Sequence, residues 1–277
     1  MTDDQTASPD QKSPRRFLKW ILIGAVGVVV LVFGAILLYA FVLNDSPDEL
    51  DAGDLADALV ATTPETAPAV DTTIDSSGEA GAGETTVVTA APATTEAAPS
   101  SAADFDGDWV PTDASEFGYR VEEVLAGVNT TAVGRSNEIT GLLTIEGTTA
   151  TAVDVEVQID SIESDSSLRD SQFTGRIMNA AEFPTATFNL TEPIEFGTIP
   201  VGDEQVTATA TGELTLRGVT NPVTFDVTAQ TTDGRIGVLG SIPVVFADYG
   251  IDNPSFGQVR TEDEGLVEFV LVFERAT

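Results

Sequence analysis

Val153-Asp154-Val155-Glu156-Val157-Gln158-Ile159-Asp160 places an aliphatic side chain at every odd position and a polar one at every even position. Successive side chains on a strand point to opposite faces, so this octet buries one face and wets the other, as antiparallel sheet does. The same period extends in both directions. Phe117, Tyr119 and Val121 alternate with Glu116, Arg120 and Glu122, and Val223, Phe225 and Val227 alternate with Thr224, Asp226 and Thr228. Val267, Phe269, Leu271 and Phe273 share one face near the end, and turn signals recur at Gly147-Thr148, Gly202-Asp203, Arg217-Gly218 and Asp233-Gly234. This patterning predicts about eight to ten strands. The clearest are 115–124, 137–146, 150–162, 185–190, 204–217, 221–231, 235–246 and 265–275. One stretch departs: between Asp165 and Glu182, Leu168, Phe173, Ile177, Met178 and Ala181 recur at helical spacing, with Ser167 and Asp170 set as a capping box. The expected fold is mainly β, an antiparallel barrel or sandwich with one short helix as lid or plug.

Upstream of the strands the chain changes character twice. Trp20 to Leu43 is 24 residues without a charge, and a helix of that length is roughly 36 Å long, enough to cross a hydrocarbon core of about 30 Å. Four bases (Lys12, Arg15, Arg16, Lys19) precede this run and no base follows until Arg120, so a single span would keep the N-terminus cytoplasmic and the remainder extracytoplasmic. Residues 44–108 are dominated by Ala, Thr, Ser, Pro and acids, with 15 acidic residues and no base, the composition of a disordered linker. Within it Asp48 to Val60 has a minor potential to form a short acidic helix. The expected organisation is a cytoplasmic tail at 1–19, a transmembrane helix at 20–43, a disordered linker at 44–108 and a β domain at 109–277.

Composition removes several function classes. With no Cys and no His among 277 residues there is no disulfide, thiol nucleophile, His/Cys zinc site or Ser-His-Asp triad. A net charge of −33 disfavours nucleic acid, whose binding depends on Lys/Arg neutralising phosphates. Asp104-Phe105-Asp106-Gly107-Asp108 carries carboxylates at alternate positions, but Trp109 and Ser115 stand where a calcium loop needs Gly and Glu, so no metal is expected there. No Gly-rich phosphate loop or Gly-x-Ser-x-Gly elbow occurs, and neither an enzyme nor a cofactor is expected.

The folded region carries a set of short motifs in order. They are Trp109 with Asp113 and Ser115, Gly134-Arg135, Ile139-Thr140-Gly141, Arg169-Asp170, Phe183-Pro184-Thr185-Ala186-Thr187-Phe188, Thr211 through Val223 (TGELTLRGVTNPV), and Asp248-Tyr249-Gly250-Ile251. Together they resemble the YceI-like family, lipocalin-like antiparallel barrels associated with binding polyisoprenoid lipids. Ser171-Gln172 and Phe246 stand where many members carry a His and an Arg. The resemblance implies a long apolar partner, a polyisoprenoid or an isoprenoid quinone, held in the barrel. Phe173, Phe188, Phe225 and Phe269 are then candidate walls, and Arg169 or Arg176 would meet a polar head group at the mouth. For any one of the apolar side chains, plain core packing is a sufficient explanation, and Arg169-Asp170 also reads as a local ion pair. The competing expectation is a structural or protein-interaction module of the cell envelope without a bound lipid.

Overall fold

The structure, a computed structural model, describes residues 46–61 and 104–277, together with the helical position Gly34. The expected span at 20–43 otherwise lies outside the described residues, as does the tail at 1–19. Among the described residues no helix is long and apolar enough to cross a membrane.

Strands β1 (Gly107–Pro111), β2 (Glu116–Leu125), β3 (Val128–Ser136), β4 (Ile139–Glu146), β5 (Thr149–Gln158), β6 (Glu163–Ser164) and β7 (Thr185–Glu192) make up the first half. The second half holds β8 (Ile194–Glu195), β9 (Val206–Leu216), β10 (Val219–Thr232), β11 (Arg235–Val245), β12 (Val259–Thr261) and β13 (Glu264–Arg275). Pairing runs β1-β4-β5-β7-β9-β10-β11-β13 and returns to β1, which closes an antiparallel barrel. The long strand β13 serves two partners on one edge: Leu266–Val270 pair with β2 and Phe273–Arg275 with β1. At the break between them the buried Ser115 hydroxyl accepts from the Val272 N–H at 2.9 Å, replacing the missing ladder acceptor, and donates at 3.2 Å to the Val272 carbonyl, which also accepts from the Thr112 N–H at 2.8 Å.

Beyond the break, β2 and β3 splay away as a hairpin, and β12 pairs with the far end of β2. The connection from β5 to β7 passes here through α2 (Ser167–Gln172), which continues directly into a π-turn at Phe173–Ile177. The N-cap is Ser166, whose hydroxyl accepts from the Arg169 N–H, while Asp170 reaches back to the Ser164 N–H and hydroxyl at 2.9 and 2.6 Å. The helix therefore starts one residue earlier than the Ser167 capping box predicts.

The predicted alternation governs the wall. Val153, Val155 and Val157 point into the barrel with Phe225 and Val227, while outward threonines pair across β9 and β10, Thr207 with Thr228 at 3.1 Å and Thr215 with Thr220 at 2.8 Å. Arg217-Gly218 is a two-residue turn in which both φ values are positive, 50° and 74°.

A correction concerns the expected linker. Residues 52–61 form helix α1 (Ala52–Ala61), and it lies on the outer wall of the barrel. Leu55 and Leu59 are fully buried against Val270, Val272 and Leu239. The composition of 44–108 as a whole hides this unit, because Leu50, Leu55 and Leu59, with Ala58, supply all of its apolar face.

Candidate functional site

The barrel encloses a cavity of about 480 Å³ whose wall is overwhelmingly apolar. That volume falls within the range of small-molecule sites, roughly 300–1,000 Å³. Small side chains on three neighbouring strands, β5, β7 and β9, help make the space: Ala150, Ala186 and Ala210 are all buried and all line it. Three phenylalanines cross the waist, Phe188 edge-on to Phe225 at 5.4 Å and Phe225 edge-on to Phe269 at 6.1 Å, the geometry aromatic quadrupoles favour.

The two ends differ. One end carries the turns after β4 and β10 and the loop from β8 to β9. The other carries the β2–β3 and β9–β10 turns, α2 with its π-turn, and the loop from β11 to β12. Two large apolar lining residues are mostly exposed, Leu168 at 67% and Phe256 at 62%, and both belong to this second end, which is the mouth.

Polar groups gather beside the mouth. Arg169 pairs with Glu123 at 3.5 Å and with Asp165, and Glu123 accepts from the Thr130 hydroxyl at 3.3 Å. Burial works against the Arg169 charge, but Asp165, Glu123 and Tyr119 outweigh it and hold the guanidinium above the usual arginine range. Tyr119 stacks on Phe173 with ring centres 4.5 Å apart, and burial pushes its phenol up to about 12, although Arg169 pulls the other way.

Of the side chains expected to meet a guest, Arg169, Phe173, Phe188, Phe225 and Phe269 line this one cavity. Arg176 does not: it is exposed and its guanidinium donates to the Pro254 carbonyl at 2.8 Å, holding the π-turn to the β11–β12 loop. The local Arg169-Asp170 pair is also replaced, since Arg169 turns to Asp165 and Glu123 and Asp170 to Ser164. Sequence reasoning missed Glu123 and Tyr119 as mouth residues; their only signal was that Tyr119, Val121 and Glu123 share strand parity. Asp106 and Asp108 act as local acceptors, for the Gly147 N–H at 2.5 Å and the Thr144 hydroxyl at 2.7 Å.

A family model for the YceI-like domain matches residues 109–273. A UPF0312 protein of Pseudomonas paraeruginosa is 33% identical over 127 residues, covering 43% of this chain and 62% of that protein. A UPF0312 protein of Shewanella denitrificans is 34% identical over 128 residues, covering 43% of this chain and 63% of that protein, so the chain spans less than two thirds of these relatives. Among solved structures, a polyisoprenoid binding domain from Saccharophagus degradans implicated in plant cell wall breakdown aligns over 61% of this chain and 99% of its own, with 17% identity and a TM-score of 0.51. That likeness is one of fold.

Proposed function

The chain belongs to the YceI-like family, and from that premise we propose that it is a membrane-anchored, extracytoplasmic binding protein that holds a long apolar lipid, a polyisoprenoid or an isoprenoid quinone, in its barrel. The observation that carries this reading is the cavity, about 480 Å³ of space walled by aliphatic and phenylalanine side chains. A well-packed core leaves few voids larger than a water molecule. Burying an isoprene unit is worth about 4 kcal/mol at ~0.8 kcal/mol per carbon, against an association cost of roughly 4–15 kcal/mol, so three to four enclosed units suffice. The polar cluster of Arg169, Glu123, Thr130 and Tyr119 offers both donors and acceptors to a head group at the mouth. Because Arg169 already has two carboxylate partners, a neutral head such as a quinone suits this mouth better than a phosphate. Binding, with no bond made or broken, is the whole of the proposed activity. The membrane anchor is the apolar run 20–43.

The test is native mass spectrometry of the detergent-solubilised full chain from its own type of cell, followed by extraction and identification of bound lipid. Ala210 is buried, lines the cavity and lies opposite Phe225 in the sheet register, so Ala210→Phe fills the space from within. A lipid adduct that this substitution removes supports the reading. An adduct-free wild-type protein would favour an envelope interaction module instead.

A further inference from the structure

The docked segment 46–61 fixes how the barrel leaves whatever precedes it in the chain. Its first described residue, Ser46, donates to the Thr131 carbonyl on the splayed β2–β3 hairpin, at the mouth end. Arg120 then donates to the Pro47 carbonyl at 2.8 Å and Arg135 to the Asp48 carbonyl at 2.7 Å, both from the outer wall. The Leu50 N–H donates to buried Glu268 at 3.4 Å. Farther along, Leu55 and Leu59 sit on Val270 and Val272, and Arg235, at the turn of the opposite end, donates to the Leu59 carbonyl at 3.1 Å. Gly237 lies beneath the helix, where a Cβ would come within 2.6 Å of Leu55 Cδ1 and 2.9 Å of Leu59 Cδ1. The segment thus runs along the barrel wall from mouth to opposite end.

We propose that residues 46–61 are a strap that holds the cavity mouth against the bilayer, so that a lipid passes between membrane and barrel at that end. The inference rests on the reading of 20–43 as a membrane span. From Leu43 to Ser46 an extended chain reaches at most about 11 Å. A free linker over 44–103 would instead give an r.m.s. reach of roughly 45 Å. Ala61 and Asp104, the described residues on either side of 62–103, both lie on the barrel, so that stretch does not set the distance from barrel to span. The mouth suits such a position: Leu168, Phe256, Val219 and Val245 are exposed at that end, against Val201 in the loops of the opposite end. The same rim carries Asp252, Glu262, Asp263 and Glu264 against exposed Arg176 and Arg260, a balance that does not draw it to anionic lipid, so the strap and not surface charge supplies the proximity. A guest longer than the cavity would leave its remainder in the bilayer.

The chain contains no cysteine, so single labels are clean. Gln258→Cys labels the mouth and Glu146→Cys the opposite end, and each full-length variant is reconstituted in phosphatidylcholine vesicles containing lipid with a nitroxide head group. The expected result is several-fold stronger quenching of a fluorophore at 258 than at 146. Inserting twenty Gly/Ser residues between Asn44 and Asp45 leaves the barrel untouched and should abolish the difference, as should Leu55→Asp with Leu59→Asp. Equal quenching at both labels, or a difference that survives the insertion, overturns the strap. Release of the chain by alkaline carbonate would overturn the span reading itself and the strap's role with it.

Discussion

Arg135 lies between two carboxylates that differ mainly in burial, and the contrast makes a quantitative test. Its guanidinium is 2.8 Å from Glu268, whose side chain is 1% exposed, and 3.0 Å from Glu116, whose side chain is 45% exposed. Glu268 is also bonded by Arg120 Nε at 3.1 Å and by the Leu50 N–H, while Arg120 and Arg135 are only 11% and 18% exposed. Removing one member of a buried cluster leaves uncompensated charge and costs about 3–5 kcal/mol. Glu268→Gln, which keeps one acceptor oxygen, should fall at the lower end and Glu268→Ala at the upper. An exposed pair contributes about 0–1 kcal/mol, so Glu116→Gln should be nearly silent. In a domain of this size about 2–4 °C of Tm accompanies each kcal/mol, which gives a fall of roughly 6–20 °C for Glu268 variants. Thermal unfolding followed by circular dichroism measures it, and hydrogen exchange at Leu50 to Ala61 should rise before the strands exchange. Glu268→Gln and Glu116→Gln variants melting within a degree of each other would refute the assignment of stability to the buried side of the cluster.

Tyr119 should titrate near pH 12, visible as phenolate absorbance that Tyr119→Phe removes. Because the folded pKa lies above the ordinary value of about 10, its contribution to stability is intact below pH 10 and is lost as pH rises through 12, roughly 2–3 kcal/mol in all. Ala210→Phe should cut bound lipid at least tenfold while the melting temperature holds or rises, because the new ring occupies existing space; a lower melting temperature with lipid still bound would mean the cavity is not where the guest sits. Gly237→Val should lift α1 from the wall and open Glu49 to an acid-specific endoprotease without loss of sheet signal, whereas cleavage no faster than in the wild type would show that the helix tolerates the added methyls.

The barrel was legible because its signal is redundant. Val153 through Asp160 alternates without a fault, and Phe188, Phe225 and Phe269 each occupy the parity that faces inward, so strand and cavity wall follow from the same pattern. What that pattern could not yield is the pairing of elements distant in sequence. Arg169 meets Glu123 across 46 positions, and nothing local distinguishes that partner from adjacent Asp170, which instead secures Ser164. Arg176 does not line the cavity for a related reason. Ordinary helical spacing puts it near Arg169, but the chain passes into a π-turn at Phe173, which shifts the face and sends Arg176 to Pro254.

The strap left its signature on its receptor. Along β13, Val267, Phe269, Leu271 and Phe273 account for the inner face, and a strand with a wet outer face should then carry polar residues between them. It carries Glu268, Val270 and Val272, at 1%, 2% and 0% exposure. An antiparallel strand apolar on both faces requires a cover, and the supply of covers outside the barrel is limited to segments with spaced aliphatics. Leu55 and Leu59, four residues apart on one helical face, meet that requirement, and Leu50 precedes them where Glu268 needs a donor. The acidic composition around them is no contradiction, because Asp51, Asp54 and Asp57 occupy the solvent side of the same turns. Arg120 and Arg135, whose positive charge is otherwise scarce in this chain, lie on the wall where the strap's carbonyls arrive. The charge imbalance that marks 44–108 as a linker is therefore compatible with a folded unit once the mate is a basic, apolar stripe rather than solvent.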